Sequence, residues 1–362
     1  MLVDAKHLVV VISGHGYGHA VMTAPLINAL SRRYPQLKIT LKTALPRAFL
    51  ETKFDTPFEY LPSSTDFGLV MRNAFQIEKH ESLKQYIRLH EDWGGNVAAE
   101  ASELKQLEAD CLISNIAYLP LAAAKQLGLP CVAYSCLNWA DIFQYYFVGQ
   151  QGTDHIYRQM LEAYSGANCF IRTEPAMPMT ELTTHRVGPI ASAGQNKRSE
   201  LLRQLGLADD TTLVLATMGG IETNIKPACW PVIDGVHYLL PDAGPELRPG
   251  ISTLSTRDFY FTDLLCSADV LLTKPGYGSF TQAATNAIPV LYVDRREWPE
   301  QPYLTPWLAQ HTACKRITEQ QLGSGDFAAE LLGLLQQNQS FPTPEPGLAE
   351  ALRLTEKYLK LA

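Results

Sequence analysis

Short apolar runs alternate along this chain with stretches whose apolar residues recur at helical spacing. Leu8 to Ile12 is a five-residue apolar run of buried-strand length. It is followed by a glycine-rich turn over 13–20, and then by Met22, Leu26, Ile27, Ala29 and Leu30 on one helical stripe, with Arg32 and Arg33 near its end. The pattern repeats. It predicts strands over 38–44, 111–114, 130–135 and 168–173, a mostly helical segment over 81–107 broken at Gly94-Gly95, and a helix over 119–127 closed by Gly128. Residues 139–147, with Trp139, Phe143, Tyr145, Tyr146 and Phe147, read as an aromatic loop. Strands alternating with helices imply a parallel, doubly wound sheet.

From 188 to 197 the composition turns to Gly, Pro, Ala, Ser and Asn, as expected of a linker. A second series follows: a helix over 198–205, a strand over 212–217 ending in Met218-Gly219-Gly220, and a strand over 269–273. That strand is followed by the turn Lys274-Pro275-Gly276-Tyr277-Gly278-Ser279, a helix from Phe280, and a strand over 289–293. A proline-rich stretch over 342–347 sets apart a closing helix over 348–361. The expected fold class is therefore α/β, with two doubly wound Rossmann-like domains at 1–190 and 191–343 and a closing helix in 344–362. The cleft between two such domains is the default ligand site.

Composition narrows the function classes. The chain has 362 residues, 46% of them hydrophobic and 19% charged, which suits a folded two-domain protein. A net charge of −7 argues against a general nucleic-acid binder. No apolar run approaches the ~20 residues of a membrane-spanning helix, and no signal-peptide pattern opens the chain. The expectation is a cytoplasmic protein without a transmembrane segment; peripheral membrane contact stays open. The seven cysteines form no CxxC pair and sit beside apolar runs, as buried reduced thiols do.

The chemistry gathers at the turns. In Ser13-Gly14-His15-Gly16-Tyr17-Gly18-His19-Ala20, three glycines free backbone N–H groups, and the helix start adds its positive end. A phosphate cradle needs glycines but no histidine. His15 and His19 in the same turn point to an anion held beside a group that moves protons. Gly219 and Gly220 form a second candidate cradle, and Gly276, Tyr277, Gly278 and Ser279 a third, opening a helix. Phe259 and Tyr260, in the segment beginning at Asp258, either stack on a base or fill core. Trp298 is a surface-loop aromatic able to wall a sugar site. No Asp-x-Asp or histidine–carboxylate cluster accompanies a glycine turn, so no metal and no cofactor is expected.

Taken together and in order, residues 13–20, 274–284 and 294–304 resemble the GT-B glycosyltransferases of the nucleotide-sugar kind. These include UDP-glucuronosyl- and glucosyltransferases and the peptidoglycan N-acetylglucosaminyltransferase. The nearest likeness is to the glycosyltransferase-like N-terminal domain of L-arabinokinases, which carries similar GHGFGHA and IGYG turns and an RRD segment. The resemblance implies an acceptor-binding first domain, a second domain holding the nucleotide sugar, and a last helix crossing back to the first. It implies inversion without metal. It also implies His19 as the base, Gly16, Tyr17 and Gly18 on the acceptor side, and Gln282, Glu300 and Gln301 on the donor's ribose and sugar. The 139–147 stretch reads most simply as core and interface packing, with Trp139 in an acceptor pocket as the alternative. Two positions depart from it. Asn115 stands where many relatives have an aspartate that orients the histidine, and Gln282 stands where they have a glutamate.

The expected function is thus transfer of a sugar, from a UDP-sugar in the first instance, to a hydroxyl acceptor. The alternatives are a nucleotide-sugar hydrolase or 2-epimerase, and a nucleotide-sugar-binding protein with weakened catalysis. The 2-epimerases use more carboxylates near the sugar than this chain offers.

Overall fold

The computed structural model describes residues 6–219, 226–241, 248–255, 259–337 and 339–361. The chain divides into two compact units, Met1–Ile190 with Pro346–Ala362, and Ala191–Glu345. Each is built on one wholly parallel sheet.

In the first unit the strands are β1 (His7–Ile12), β2 (Lys38–Thr43), β3 (Glu59–Pro62), β4 (Cys111–Asn115), β5 (Cys131–Ser135), β6 (Cys169–Thr173) and β7 (His185–Val187), in spatial order 3-2-1-4-5-6-7. All six residues of β1 are buried, and so are all five of β4 and of β5. Strands covered on both faces need continuous apolar runs, which is why the runs rather than an alternation marked them in the sequence. The order reverses between β1 and β4, where Ile12 lies level with Asn115. In open α/β sheets, such a reversal opens a crevice at the carboxyl ends of the strands.

The second unit contains β8 (Thr212–Thr217), β9 (Val236–Pro241), β10 (Ile251–Leu254), β11 (Val270–Thr273), β12 (Val290–Val293) and β13 (Cys314–Ile317), in order 10-9-8-11-12-13. Here the reversal falls between β8 and β11, and Thr217 pairs with Thr273. Its core joins Leu213, Leu215 and Leu271 of the sheet to Leu264, Phe280 and Leu304 of the helices.

The closing helix, Leu348–Leu359, packs in the first unit against the helix Gly18–Arg33 and strands β5, β6 and β7. Ala351, Leu354 and Leu359 form its buried stripe. No helix among the described residues is long and apolar enough to cross a membrane.

Three local expectations change. The aromatic stretch expected as a loop is a helix, Trp139–Phe147, started by Asn138, whose side chain accepts from the N–H of Asp141. Its aromatics fall at helical spacing, and their loop-like density misled. The break in the 81–107 segment lies at Asp92, two residues before Gly94. Asp92 caps the helix Trp93–Gln106 by accepting from Gly95 N–H. Part of the expected linker is docked on the second unit: the N–H groups of Gly194, Gln195 and Lys197 donate to Asn286, Asp263 and Ser267.

Candidate functional site

In the first unit the turn after β1 leads directly into the helix Gly18–Arg33, whose N-terminus no side chain caps. Gly16 has φ +85°, a left-handed conformation that glycine adopts without strain. Tyr17 stacks on Phe49, with ring centroids 3.9 Å apart. Gly18 is exposed.

His19 begins the first turn of this helix and is buried against the end of β4. Its Nδ1 lies 2.9 Å from Asn115 Oδ1. Asn115 is fully buried, and its Nδ2 donates to Thr23 Oγ1 at 2.9 Å. Thr23 Oγ1 in turn donates to the His19 carbonyl at 2.7 Å. This chain of bonds assigns the proton on the ring. The threonine hydroxyl spends its hydrogen on the carbonyl, so it must accept from the asparagine amide. The asparagine oxygen therefore faces the imidazole, so Nδ1 carries the hydrogen and Nε2 carries the lone pair. Burial pushes the His19 pKa down to about 4, while the bond to Asn115 pulls it up. The dominant cause is burial rather than the helix end, and Asn115 does add some basicity. Next to Asn115, Ile116 has φ +76°, a conformation costly for a β-branched residue and fixed here by Tyr164 O–H donating to its carbonyl.

Trp139 is fully buried against both histidines. Its ring meets His15 edge-on at 5.2 Å between centroids and His19 at 6.2 Å. Sequence reasoning passed over the group that holds it. Asp66 Oδ2 accepts from Trp139 Nε1 at 2.7 Å. Burial pushes the Asp66 pKa up to about 6, against the pull of Trp139 and of the neighbouring Ser13 hydroxyl and Gly14 N–H. Asp66 lies in an irregular segment without periodicity, so only the turn signal of Asp-Phe-Gly marked it.

In the second unit, Gly219 follows β8 with φ +73°. A β-carbon there would lie 3.5 Å from Lys274 Cε and 3.9 Å from Nζ, so the lysine reaches across to this turn. The helix Tyr277–Thr285 starts at Gly276 and has no side-chain cap. Tyr277 and Gly278 are buried at its first turn, Ser279 is half-buried, and Gln282 is buried one turn further on. Lys274, like Asp66, was not among the expected site residues. Desolvation of its ammonium group pushes its pKa down to about 7, helped by the Arg295 charge and opposed by Glu300. Arg295 is buried, with its guanidinium 4.1 Å from the Trp298 ring centroid.

Several expected donor residues have defined structural partners. Trp298 is buried, not a surface wall, because its ring packs on Arg295 and its N–H donates to Glu300 at 3.1 Å. Gln301 accepts from Arg295 N–H at 2.6 Å and donates to Asp294 at 2.5 Å, so its amide ties its own loop together. Phe259 is 3% exposed in the core of the unit, while Tyr260 is 63% exposed; packing rather than a base uses the phenylalanine ring. Gly220 and Asp258 lie outside the described residues. Among the described residues, no group of three or more His, Cys, Asp and Glu side chains is placed to hold a metal ion.

Two α/β units on parallel sheets, with glycine turns at both reversals of strand order, give the chain the GT-B glycosyltransferase fold. Two solved structures carry that likeness. CalG4, the calicheamicin glycosyltransferase, matches with a TM-score of 0.62 at 15% identity, over 98% of this chain and 98% of that one. UGT2 of Phytolacca americana, complexed with UDP-2-fluoro-glucose and pterostilbene, matches with a TM-score of 0.61 at 15% identity, over 99% and 94%. The chain is also a distant homologue of L-arabinokinase of Arabidopsis thaliana, 25% identical over 363 residues, 91% of this chain. It spans 34% of that protein's length. No family model matches the chain.

Proposed function

We propose that this protein is an inverting glycosyltransferase that moves a sugar from a nucleotide sugar to a hydroxyl acceptor, with His19 as its base. The observation that carries the reading is the bond chain Thr23–Asn115–His19, which leaves Nε2 unprotonated in the ring's neutral form. In the reaction, Nε2 takes the acceptor's hydroxyl proton as the acceptor oxygen attacks the anomeric carbon. The bond from that carbon to the phosphate oxygen breaks on the opposite face, and the nucleoside diphosphate leaves with the electron pair. Attack opposite the leaving group inverts the configuration.

The second unit supplies what the leaving group needs. Lys274 lies against the Gly219 turn, Arg295 is buried in the next loop, and the helix Tyr277–Thr285 presents an uncapped N-terminus. Preorganised positive groups of this kind stabilise a developing diphosphate charge. UDP is the preferred nucleotide because the structurally similar UGT2 carries a UDP-sugar analogue. With two cationic side chains and a helix end for the phosphates, we propose that transfer needs no divalent metal.

A second reading has its own support. Asn115 adds no negative charge to stabilise an imidazolium, and a base with a pKa of about 4 is weak at neutral pH. This favours a nucleotide-sugar-binding protein with reduced catalysis, or a hydrolase, in which water replaces the acceptor. UDP release from UDP-sugars, measured with and without a panel of hydroxyl acceptors, separates the three. Once an acceptor is found, His19→Ala lowers turnover by about 10²-fold or more, since general-base catalysis contributes 10²–10⁴-fold. UDP affinity stays unchanged in that variant. Asn115→Asp raises the histidine's pKa and, where the missing charge limits the rate, raises turnover. Full activity in His19→Ala, or activity lost in chelator and restored by Mg²⁺, overturns the corresponding part of the proposal.

A further inference from the structure

Asp66 is a buried carboxylate bonded to Trp139, the ring that lies against His15 and His19, and nothing in the reaction above uses it. It sits in the segment between β3 and the helix Lys79–Glu91, and only 7% of it is exposed. The Trp139 indole N–H donates to it at 2.7 Å, and the Ser13 hydroxyl and Gly14 N–H of the glycine turn favour its charged form. A buried carboxylate costs several kcal/mol of desolvation unless it is well bonded.

The neighbours of Asp66 are arranged around the same purpose. Gly68, two residues on, has φ +63°, and a β-carbon there would lie 2.6 Å from Trp139 and 2.7 Å from the His15 ring. Any side chain at 68 would drive the indole and the imidazole out of place. Tyr86 O–H donates to the Gly68 carbonyl at 2.6 Å, holding this backbone down. The Leu69 N–H lies 3.5 Å from His15 Nδ1. The segment 66–69 therefore bears on the glycine turn, on Trp139 and on His15 together, and Trp139 is the wall beside His19.

We propose that Asp66 is a positioning residue for the candidate base: it fixes the glycine turn and the Trp139 wall so that the His19 ring faces a bound hydroxyl in a single orientation. The proposal rests on His19 being the base. Asp66 touches no reacting atom; it acts through Trp139 and through the backbone that leads into His19. A misplacement of about 1 Å at a base costs about 10²-fold in rate, so a positioning group is visible in turnover.

Asp66→Asn tests this in the full-length protein. Asparagine keeps the size but replaces one carboxylate oxygen by an N–H₂ group and removes the charge, so the indole N–H meets a weaker acceptor or none. Trp139→Phe removes the same indole bond from the other side. The expected result is a turnover reduced about 10-fold to 10²-fold in each variant, with the donor KM unchanged and the losses in the double variant well short of the product of the singles. In ¹H–¹⁵N spectra, the Trp139 indole proton, downfield in the native protein, moves upfield in Asp66→Asn, and the ring resonances of His15 and His19 shift with it. Asp66→Glu, which keeps the carboxylate, restores part of both signals. Native turnover together with unshifted histidine resonances in Asp66→Asn overturns the proposal, whatever His19→Ala does. Losses that multiply fully in the double variant overturn it as well. If His19→Ala keeps full rate, the base assignment fails; shifted histidine resonances in Asp66→Asn then still assign Asp66 to the turn, and unshifted ones reject it.

Discussion

The imidazole proposed as the base also bears on stability. His19 is held neutral by burial, with its pKa near 4 rather than 6.5. Above pH 6.5 both the folded and unfolded chains hold it uncharged. Below 6.5 the unfolded chain takes up a proton that the native site refuses until about pH 4, so the native state loses stability as pH falls through that window. The full shift corresponds to roughly 3 kcal/mol. His90, also pushed down to about 4 by burial, adds a loss of the same sign. Asp66 works the other way. Its raised pKa of about 6 lets the native state keep a proton that the unfolded chain gives up, so its contribution favours the native state at the acid end and fades as pH rises towards 6. His19→Gln removes one of these contributions. Its stability at pH 7 minus that at pH 4.5, from urea melts, should be smaller than the native difference by about 2 to 3 kcal/mol. Equal differences would mean that His19 is not held neutral in the native state.

At the scale of elements, the turns after β8 and β11 form one surface because the register sets Thr217 beside Thr273, and Lys274 reaches from one turn to Gly219 of the other. Gly278→Asp would place a carboxylate in the first turn of the helix Tyr277–Thr285, and Lys274→Ala would remove the ammonium group from the Gly219 turn. Each should weaken UDP binding by about tenfold or more, the cost of a charge-assisted hydrogen bond lost or opposed. Calorimetry that finds native UDP affinity in both variants would remove the donor from this surface. The strands at these turns were legible because buried parallel strands are apolar throughout, and the turns because glycine and proline punctuate them. Strands β3, β7, β9, β10 and β13 escaped notice; β3, β7 and β13 are edge strands with polar members such as Glu59, Arg186 and Lys315. At the site, His19 stood out because it belongs to the glycine turn after the first apolar run, and Asn115 because the family resemblance sets an aspartate at that position. Asp66 and Lys274 did not, because their significance lies in three-dimensional neighbours that no local pattern encodes. Phe259 and Trp298 show the converse: an aromatic beside a turn reads the same whether it meets a ligand or fills core.

At the scale of the whole molecule, the first unit is assembled from two separated stretches of chain. Leu354, 3% exposed in the closing helix, packs within the unit begun by β1. Leu354→Ala should therefore destabilise the first unit by about 2–5 kcal/mol, the usual cost of emptying a buried leucine site. It should leave UDP affinity as it was, because the proposed phosphate groups all lie in 191–345. Denaturation followed separately by Trp139 and by Trp298 and Trp307 fluorescence, in variants that keep one reporter at a time, should show the earlier transition only in the Trp139 signal. A shift of equal size in every reporter would make the two units a single cooperative block.

That discontinuity also bears on how the protein is made. A ribosome delivers the first unit's residues up to Ile190 ahead of all of the second unit, and only afterwards the helix Leu348–Leu359. Domains commonly fold as they emerge, the earlier ones first. Here the earlier unit waits with the faces of β5, β6 and the helix Gly18–Arg33 uncovered while some 150 residues are synthesised. The second unit, continuous in the chain, is free to finish before it. During that interval the first unit lacks the helix that covers these faces, and it is completed only after the second unit has been made.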